Sequence, residues 1–332
     1  MRVLVTGATG FVGSHLCVAL LQAGYQVKAA VRLPGVLRPY PGVQEIAMGS
    51  IGPDSNWRET LDDVDVIIHL AARTHVMRNT APDPEAAYRR INVEATAALA
   101  NQAAASGVQR FILLSSVKAG AEQSFSRIPL RVDMAPKPED AYGRTKLMAE
   151  KNLTELGENT GMETVILRSP LIYGPDMKGN LLSLFNAVDK GLPLPLRWVD
   201  NRRDFLFVGN LVAAMMHALG IQADQCGFYY VCDGEAISVA ELVRRIAHAL
   251  DRPARLLPVP PILLRLAGAM SGRSETIKRL TGSLQIDGDT FCQSVNWTPP
   301  YTMKEGLAKT AAWYKSREST DQAGETDRAE YF

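Results

Sequence analysis

The sequence RVLVTGATGFVGSHLCVALLQAG, residues 2–24, combines a short apolar run, three glycines and a helical repeat, in that order. Residues 3–5 are all apolar, a pattern typical of a strand that is buried on both faces. Apolar positions then recur at helical spacing from Val12 to Leu20, and Gly24 ends the repeat. A strand, a glycine turn and a helix in this order are predicted to hold the pyrophosphate of a dinucleotide.

The three glycines have GxxGxxG spacing, and each has its own structural role. The first permits the tight turn, the second lets the backbone approach the phosphates, and the third allows the helix to pack closely on the strand. The residues of this turn that we expect to contact a cofactor are Gly7, Thr9, Gly10, Phe11, Val12 and Gly13.

The length and composition of the chain indicate a globular protein. Its 332 residues exceed a typical domain of about 150, so we expect one large domain with an appended lobe. The chain is 46% hydrophobic and 21% charged, which is ordinary for a protein with a substantial core. The formal net charge of +1 gives no indication of a nucleic-acid partner or of an anionic membrane surface.

Targeting and metal-binding signals are missing from the sequence. The cysteines form no CxxC pair, which favours reduced packing residues in a cytoplasmic protein and no metal site: Cys17, Cys226, Cys232 and Cys292. Met1 leads directly into the first strand, which leaves no room for a signal peptide. The most apolar stretch, residues 256–270, is too short to span a bilayer and is interrupted by Arg265. We therefore expect a packed loop and helix there, and no membrane insertion.

Strands and helices alternate along the first half of the chain. Strands are predicted at residues 27–31, 43–47, 64–72, 111–116 and 164–167, and helices at 84–107 and 140–157. This alternation predicts an α/β fold with a doubly wound parallel sheet (a Rossmann fold). After Tyr173, prolines and glycines are frequent, and helices predicted at 237–250 and 302–315 join short extended segments. These features indicate a smaller C-terminal α/β lobe.

The chain is accordingly divided into three parts. We expect the dinucleotide-binding domain at residues 1–172, with a return segment at about 205–222. The substrate lobe is then formed by residues 173–204 and 223–315. Residues 316–332 are polar and lack periodicity, so a mobile tail is expected there.

The ends of two predicted strands are expected to contact the cofactor. An NAD-binding fold usually has an acidic residue after its second strand, whereas here Arg32 follows Val31. A guanidinium suits the 2′-phosphate of NADP, so NADP(H) is favoured over NAD(H), although a solvated loop arginine is an alternative. The strand at residues 64–72 ends in Leu70, Ala71 and Ala72, and small side chains there let a cofactor lie across it. We expect the preceding His69 to pack beside the glycine turn.

Three polar residues carry the predicted chemistry. Tyr142 and Lys146 are four residues apart on a predicted helix and therefore share one face, while Ser116 ends the preceding strand. A tyrosine with the ordinary pKa of about 10 is a weak acid–base catalyst at neutral pH. We expect the Lys146 ammonium and an oxidised nicotinamide to lower that pKa. With Ser116 bonding the reacting oxygen, this set suits reversible hydride transfer at a secondary carbinol.

With these motifs the sequence resembles the short-chain dehydrogenase/reductase superfamily, in its extended branch that acts on nucleotide sugars. The motifs are the glycine turn, His69-Leu70-Ala71-Ala72, Ser115-Ser116, Tyr142-x-x-x-Lys146 and Arg168-Ser169-Pro170, and the resemblance extends to about residue 315. It implies that Ser116, Tyr142 and Lys146 are catalytic and that Lys146 also bonds the nicotinamide ribose. It further implies that Leu70, Ala71, Ala72, Tyr142 and Arg168 contact the cofactor.

The second lobe extends the resemblance to a UDP-sugar substrate. Tyr173-Gly174-Pro175 and Asn180 are similar to the family's loop that leads to the substrate. Arg203-Asp204-Phe205 is similar to a segment whose arginine meets the nucleotide diphosphate, and the alternative is a surface ion pair between Arg203 and Asp204. The substrate is therefore expected to contact Ser116, Lys118, Tyr142, Asn180 and Arg203. Lys118 is equally consistent with a solvated lysine.

Two positions depart from the family pattern. Gly49-Ser50-Ile51 stands where many members have an aspartate that holds adenine, which puts that contact in doubt. Val117-Lys118 stands where sugar-nucleotide dehydratases carry an acidic pair, which argues against the elimination of water.

Three functions stay open on the sequence alone. The first is reduction of a 4-keto UDP-sugar to UDP-N-acetylquinovosamine or UDP-N-acetylfucosamine for O-antigen lipopolysaccharide, since residues 280–287 and 297–300 are similar to such enzymes. The second is NAD-dependent 4-epimerisation of a UDP-hexose or UDP-N-acetylhexosamine. The third, a non-catalytic NADP-sensing regulator, conflicts with the presence of both Tyr142 and Lys146. We rank the reductase first because Arg32 suits NADPH, and we expect a homodimer through the helices near 85–106 and 140–157.

Overall fold

A computed structural model of the chain describes residues 1–35, 42–74, 83–125, 128–272 and 274–329. The strands of this part are β1 (Arg2–Thr6), β2 (Gln26–Val31), β3 (Val43–Ala47), β4 (Val66–His69), β5 (Arg110–Ser116), β6 (Glu163–Ser169), β7 (Leu171–Tyr173), β8 (Phe205–Phe207) and β9 (Phe228–Tyr230). Seven of them form one sheet in the order β3-β2-β1-β4-β5-β6-β9, and β7 pairs with β8 in a second sheet.

The seven-stranded sheet is parallel throughout, with β4 at its centre and β1 beside it. Val3 of β1 pairs with Val27 on one side and with Val66 on the other. Residues 3–5 are completely buried, as expected for a strand covered by helices on both faces. The strand order reverses direction between β1 and β4, which is the arrangement of a Rossmann fold. The predicted doubly wound parallel sheet is therefore confirmed, and the glycine turn after β1 lies at the switch point.

Helices cover both faces of the sheet and build the second lobe. They are α1 (Phe11–Gln22), α2 (Arg58–Leu61), α3 (Pro84–Arg89), α4 (Thr96–Ala105), α5 (Ala141–Thr160), α6 (Asn180–Asp189), α7 (Val208–Ala218), α8 (Val239–Leu250), α9 (Pro261–Met270), α10 (Ser274–Thr281), α11 (Asp289–Ser294) and α12 (Met303–Ala329). The helix predicted at residues 84–107 consists of α3, a π-helical segment (Arg90–Ala95) and α4. The π-helical segment places the buried Asn92 against α5, where its side chain donates to Thr145 Oγ1 at 3.2 Å.

One strand lies in a different part of the fold than the sequence predicts. β9 falls within the segment assigned to the substrate lobe, yet it pairs with β6 at the edge of the main sheet, Ile166 opposite Phe228. The division at residue 223 is therefore wrong for this strand, because three residues are too few to show a period that the sequence could reveal. The return segment supplies β8, which pairs with β7, and α7, which packs against α1.

The apolar stretch at residues 256–270 is a loop and a helix from Pro261, as predicted, but the helix packs on the fold along one side only. α9 buries Leu264 and Gly268, whereas Ile262, Leu263 and Leu266 are each more than half exposed. Apart from Arg265, α9 is apolar on every side; such a helix is normally covered all round, and here only one face of it meets the fold. Among the residues that the structure describes, no helix combines the length and the apolar character needed to cross a bilayer.

The tail predicted from Ser316 onward is helical in the structure. α12 continues to Ala329, and residues 330–332 lie outside the described part. The sequence there is rich in good helix formers, among them Arg317, Glu318 and Ala323, so a helix can continue without an apolar face. A lack of apolar periodicity therefore does not exclude a helix.

Candidate active site

The glycine turn between β1 and α1 has the close packing that its glycines predict. Gly7 has a φ of +68°, and a Cβ added to it would lie 2.8 Å from the Ala71 amide nitrogen. A Cβ on Gly13 would lie 2.2 Å from the carbonyl oxygen of Gly7. Both positions therefore exclude a side chain, and the turn lies directly against the segment that follows β4.

The N-terminus of α1 is suited to an anionic ligand. Gly10 is the N-cap residue and supplies no side-chain hydrogen bond, and the first turn contains no acidic residue. The first amides of a helix have no partner within the helix, and the helix dipole makes that end positive. Residues 11–13 therefore fit the pyrophosphate of a dinucleotide, beside the exposed Thr9. Such a cofactor, when bound, accepts and donates a hydride.

The segment after β4 keeps the neighbouring part of the sheet edge open. The Ala71 amide donates to Thr6 Oγ1 at 3.2 Å, which holds this segment against the glycine turn. Leu70, Ala71 and Ala72 are only partly buried, and the two alanines present little more than backbone. The structure therefore brings all the predicted cofactor residues of the first and fourth strands to one place.

His69 is a packing residue, as predicted. Its Nδ1 is 2.8 Å from Thr6 Oγ1 and its Nε2 is 2.9 Å from Thr96 Oγ1, and the ring is 2% exposed. Burial, reinforced by the neighbouring Lys146, lowers the pKa of His69 to about 3. The imidazole is therefore neutral at physiological pH and links β1, β4 and α4.

His69→Gln is expected to change the dependence of stability on pH. Between the unfolded pKa of 6.5 and the folded pKa of about 3, the unfolded chain binds a proton that the folded chain excludes. The neutral ring's contribution to the free energy of unfolding is fully present above pH 6.5. Between pH 6.5 and about 3 it decreases by about 1.4 kcal/mol for each unit that the pH falls. Urea unfolding of both proteins from pH 7 to 4 measures this: the variant should lose less stability than the wild type. Equal losses would mean that His69 does not titrate in this way.

The segments after β2 and β3 offer no carboxylate to the ribose of a cofactor. Arg32 directly follows β2, and Ser50 lies three residues after the end of β3. Both residues are exposed. Residues 32–35 and 48–52 include no acidic residue, so the usual NAD-type contact is not supplied by these segments.

Ser116, Tyr142 and Lys146 converge at the carboxyl edge of the sheet. Ser116 ends β5, and its side chain is hydrogen-bonded to the phenol of Tyr142 on α5. Lys146, one helical turn further along, donates its Nζ proton to the Leu114 carbonyl at 2.7 Å. Asp140 caps α5, since its Oδ1 accepts an amide proton of the first turn at 2.7 Å, and so fixes the position of Tyr142.

The pKa values in this set differ from the sequence-based expectation. Burial raises the pKa of Tyr142 to about 12, and the hydrogen bond with Ser116 opposes it only in part. Burial also lowers the pKa of Lys146 to about 8, against the opposing effect of Glu150. The predicted lowering of the Tyr142 pKa by Lys146 is therefore wrong for the chain by itself. Both groups are desolvated, and the amine donates to the Leu114 carbonyl.

Arg168 is engaged in a buried network and does not face the cofactor site as predicted. Its Nε and Nη2 donate to the two carboxylate oxygens of Glu150 at 3.0 and 2.6 Å, and its Nη1 donates to the Tyr230 hydroxyl at 3.2 Å. Ser115 also donates to Glu150, which is completely buried. Arg168 stacks on Phe228 and Tyr230, with its guanidinium carbon 5.7 and 5.5 Å from the ring centres. Its side chain therefore ties α5, β6 and β9 together beneath the catalytic residues.

Lys118 lies between two carboxylates next to the catalytic pair. Its Nζ is 3.2 Å from Glu122 Oε1 and also contacts the Asp140 carboxylate that caps α5. The solvated lysine considered for this position is therefore wrong, since the Lys118 side chain is 17% exposed. Burial raises the pKa of Glu122, and this carboxyl also interacts electrostatically with Arg203 in the second lobe. Glu122 thus connects two of the predicted substrate residues.

Arg203 does not form the surface ion pair considered for it. One guanidinium nitrogen donates to the carbonyls of Arg279 and Gly282, both at 2.9 Å. Asp204 is buried, and its carboxylate accepts from the Ile286 amide at 2.9 Å. Burial, with Arg279 close by, lowers the pKa of Arg203 to about 10. The segment is therefore built into the second lobe with its cation held at the end of α10.

A cavity with basic residues in its wall lies beside Arg203. Its volume is about 440 Å³, and it is lined by Gln123, Arg265, Ser274, Glu275, Lys278, Thr281 and Gly282. Gly282 is also an acceptor for Arg203, which places that guanidinium next to the cavity. Arg279, on α10, has a buried Nε with no hydrogen-bond partner among the described residues. An unused buried guanidinium donor fits an anionic group such as a diphosphate.

Asn180, the remaining predicted substrate residue, is not hydrogen-bonded to the others in the described part of the chain. Asn180 is exposed and begins α6, just after Gly179 with a φ of +75°. Within the described residues, no hydrogen bond joins it to Ser116, Lys118 or Arg203.

The site also contains residues that the sequence analysis missed. They are Glu122, Asp140, Glu150 and Arg279. Glu150 and Asp140 had readable signals, because Glu150 lies four residues after Lys146 on the same helix and Asp140 is an N-cap residue at the predicted helix start. Glu122 lies four residues after Lys118 but outside a predicted helix. Arg279 meets Arg203 through a tertiary contact that no local spacing records.

A glycine turn for a dinucleotide and a Ser–Tyr–Lys set at the same sheet edge define an enzyme of the nicotinamide-dependent oxidoreductase type. Residues 3–230 match the NAD dependent epimerase/dehydratase family, and the chain belongs to that family. The resemblance to the extended short-chain dehydrogenase/reductase superfamily is thereby confirmed.

Relatives with known activities cover nearly the whole chain. The chain is 38% identical to UDP-glucose 4-epimerase of Vibrio cholerae, over 93% of this chain and 94% of the relative. It is 27% identical to GDP-6-deoxy-D-mannose reductase of Pseudomonas aeruginosa, over 95% and 98% of the two chains. Among solved structures, MoeE5 in complex with UDP-glucuronic acid and NAD is similar with a TM-score of 0.76, at 26% identity, over 96% of this chain and 100% of that one.

Proposed function

We propose that this protein is a nucleotide-sugar 4-epimerase that acts on a UDP-hexose or UDP-N-acetylhexosamine and retains NAD. The observation that carries the proposal is the hydrogen-bonded Ser116–Tyr142 pair beside the dinucleotide turn, in a chain 38% identical to a UDP-glucose 4-epimerase. The keto-sugar reductase that ranks first on the sequence alone becomes the second candidate, since the similar reductase is 27% identical.

The proposed reaction assigns a separate task to each polar residue. Ser116 would hydrogen-bond the C4 oxygen of the sugar, and Tyr142, as a phenolate favoured by the positive charge of an oxidised nicotinamide, would accept the C4 hydroxyl proton. The nicotinamide, when bound at the glycine turn, would supply the hydride acceptor. For epimerisation, Tyr142 would return the same proton to the C4 oxygen of the keto sugar, and the reduced cofactor would supply the hydride to the opposite face, so that no net oxidation would occur. A Lys146 pKa of about 8 lets this amine exchange a proton near neutral pH beside the phenol.

Two other functions, the elimination of water and non-catalytic regulation, fit the site less well. The turn after Ser116 carries Val117 and Lys118, so this turn itself supplies no carboxylate for the elimination of water. The nearby carboxylates of Glu122 and Asp140 are both paired with Lys118. A regulator without catalytic activity has no use for the complete Ser116, Tyr142 and Lys146 set that the fold brings together. Both observations favour a reaction limited to hydride and proton transfer.

The exposed guanidinium after β2 is the observation that favours the reductase and NADP(H). Arg32→Ala is expected to weaken NADPH binding by about 1.5–3 kcal/mol, the scale of a charge-assisted hydrogen bond, and to leave NADH binding unchanged. Titration of both cofactors into the wild type and the variant, after removal of bound nucleotide, measures the difference. Equal losses for the two cofactors, or no loss, would show that Arg32 does not contact the 2′-phosphate.

Arg203 is proposed to bind the diphosphate of the substrate. This group is unchanged during the reaction, so its contacts bind the ground and transition states equally. Arg203→Ala should therefore raise the Michaelis constant about tenfold or more with little change in turnover, and Arg203→Lys should recover only part. Steady-state kinetics and Tm are measured together, because Arg203 also bonds the carbonyls at the end of α10. A lower Tm with an unchanged Michaelis constant would leave Arg203 only a structural role.

We further propose a homodimer through α4 and α5, within the predicted segments 85–106 and 140–157. A groove of about 270 Å³ lies between these helices, and small or short side chains line much of it: Thr96, Ala97, Ala100, Asn101, Ala149, Asn152 and Asn159. Such side chains let a helix of a second copy approach closely. The four free cysteines support a reducing cytoplasmic location, and the similarity at residues 280–287 and 297–300 supports a role in O-antigen biosynthesis.

The proposal is tested with purified protein and no added cofactor. Nucleotides released on denaturation are identified by mass spectrometry, and NAD is expected. The folded protein is then incubated with UDP-glucose and with UDP-N-acetylglucosamine, and formation of the 4-epimer is expected for at least one. Conversion of only a 4-keto UDP-sugar, with one reduced cofactor consumed per product, would identify the reductase instead.

A further inference from the structure

α9 carries an apolar face that no part of the described structure covers. Ile262, Leu263, Leu266 and Met270 are 67%, 52%, 57% and 90% exposed. On a helix of 3.6 residues per turn these positions fall within an arc of about 100°. The two buried positions of α9, Leu264 and Gly268, lie on the opposite side. The helix therefore has one face in the fold and an equally apolar face in solvent.

A neighbouring loop extends this apolar surface and adds a tryptophan. The loop is joined to the segment before α9 by the Leu257 amide, which donates to the Leu194 carbonyl at 2.8 Å, and by the Arg197 amide, which donates to the Leu257 carbonyl at 3.2 Å. Trp198 in this loop is 54% exposed, and Leu257 is 46% exposed. We call these residues together with the exposed face of α9 the apolar platform. Tryptophan is one of the two side chains that are enriched at the boundary between water and lipid.

Positive charge is concentrated around the apolar platform. Residues 252–279 contain six basic residues and one acidic residue, in a chain whose 36 basic and 35 acidic residues otherwise nearly cancel. Arg252 pairs with Asp189 and Lys278 pairs with Glu139. For Arg197, Arg255 and Arg265, all exposed, the described ranges contain no acidic partner. The charge that surrounds the apolar side chains is therefore positive and in part uncompensated.

We propose that the apolar platform docks the enzyme on an anionic lipid surface, with α9 lying in the plane of the interface. Exposed apolar side chains flanked by arginines on a short helix match the requirements for interfacial binding, in which side chains enter the headgroup region and the cations attract acidic lipids. This binding mode needs no membrane-spanning helix. The net charge of +1 gives no indication of an anionic membrane partner. The positive charge around the apolar platform is local, and the total for the chain does not reveal it.

A second copy of the chain fits this surface less well than a bilayer does. α9 is about 15 Å long, and a stable protein interface usually involves about 20–30 residues on each side. The excess positive charge around the helix would also face itself across a symmetric contact. An anionic bilayer complements both the apolar side chains and the charge. Because Arg265 also lines the cavity beside Arg203, docking would place that cavity near the lipid surface.

Vesicle co-sedimentation of the full chain tests the proposal. The protein is mixed with vesicles of phosphatidylcholine alone and with vesicles that also contain phosphatidylglycerol, at low and high salt. Binding is expected only to the anionic vesicles and is expected to weaken with salt. The triple variant Ile262→Gln/Leu266→Gln/Met270→Gln should lower the partition coefficient about tenfold or more, and Arg265→Gln should lower it about fivefold. The matched control Leu33→Gln, which changes a leucine that is 69% exposed beside β2, should bind like the wild type.

Each other result overturns the proposal. Wild-type protein that stays in the supernatant, or that binds both kinds of vesicle equally at any salt concentration, excludes docking on acidic lipid. An unchanged partition coefficient in the triple variant, with circular dichroism showing a folded protein, excludes α9 as the contact. Self-association that the triple variant abolishes, without vesicle binding by the wild type, assigns the apolar platform to a second copy instead.

Discussion

Replacing Tyr142 with phenylalanine is expected to lower turnover by about 10²–10⁴-fold, the range for loss of a general acid–base group. The phenol is the group that exchanges a proton with the sugar, and Ser116 alone cannot replace it because a hydroxyl holds its proton too tightly at neutral pH. The phenylalanine ring keeps the shape of the site, so NAD affinity should stay within about twofold. Steady-state kinetics with a UDP-sugar, and titration of NAD, measure the two quantities.

Tyr88→Phe is the matched control for this variant. The two rings are 6.2 Å apart at their centres, and the Tyr88 hydroxyl donates to the Thr74 carbonyl at 3.2 Å, away from Ser116. The control loses the same hydroxyl from a neighbouring ring and should keep turnover within a few-fold. Near-normal turnover in Tyr142→Phe would remove Tyr142 from the mechanism. A similar loss in both variants would indicate general disorder of the site.

The largest effect on stability is expected from Glu150→Ala. Removing this completely buried carboxylate leaves the Arg168 guanidinium uncompensated, and breaking a buried pair in this way costs about 3–5 kcal/mol. Urea unfolding measures the loss as a shift in the midpoint. Because Arg168 joins α5, β6 and β9, the unfolding transition should shift as a whole. A loss below about 1 kcal/mol would contradict the structural role assigned to the network.

Two further variants separate the charge from the packing. Glu158→Gln changes an exposed carboxylate on the same helix and should alter stability by less than about 0.5 kcal/mol. Glu150→Leu/Arg168→Met removes both charges and replaces them with apolar volume, which often restores stability after loss of a buried pair. The double variant should therefore be more stable than Glu150→Ala. If it is less stable than Glu150→Ala, the hydrogen bonds of Ser115 and Tyr230 dominate instead.

The sequence predicts those parts of the site that depend on local spacing. GxxGxxG after an apolar run specifies the turn, because a Cβ at Gly7 or Gly13 would collide with backbone atoms. Tyr142 and Lys146 share a helix face because they are four residues apart. Alternating strands and helices specify a parallel sheet, and right-handed crossovers then bring Ser116 to the edge where the turn lies.

The errors of the sequence analysis concern contacts between distant segments. The resemblance implies that the arginine of Arg168-Ser169-Pro170 contacts the cofactor, but its direction is set by Glu150 and by Tyr230, which lies 62 residues later in the chain. The pKa of Tyr142 was expected to fall, and it rises because tertiary packing buries the phenol. Likewise, the apolar composition of residues 256–270 predicts burial, yet whether a helix face is covered depends on elements that its own sequence does not contain.

The fate of the hydrogen at C4 tests the proposed epimerisation most directly. UDP-glucose carrying deuterium at C4 is incubated with the purified enzyme and no added cofactor, and the products are examined by mass spectrometry and NMR. If the hydride leaves C4 and returns to the other face within one active site, UDP-galactose should form with the deuterium still at C4. Tyr142→Phe should form the same product more slowly. Loss of the label to solvent, or no UDP-galactose while a 4-keto UDP-sugar is reduced at the expense of added NADPH, would contradict the proposal.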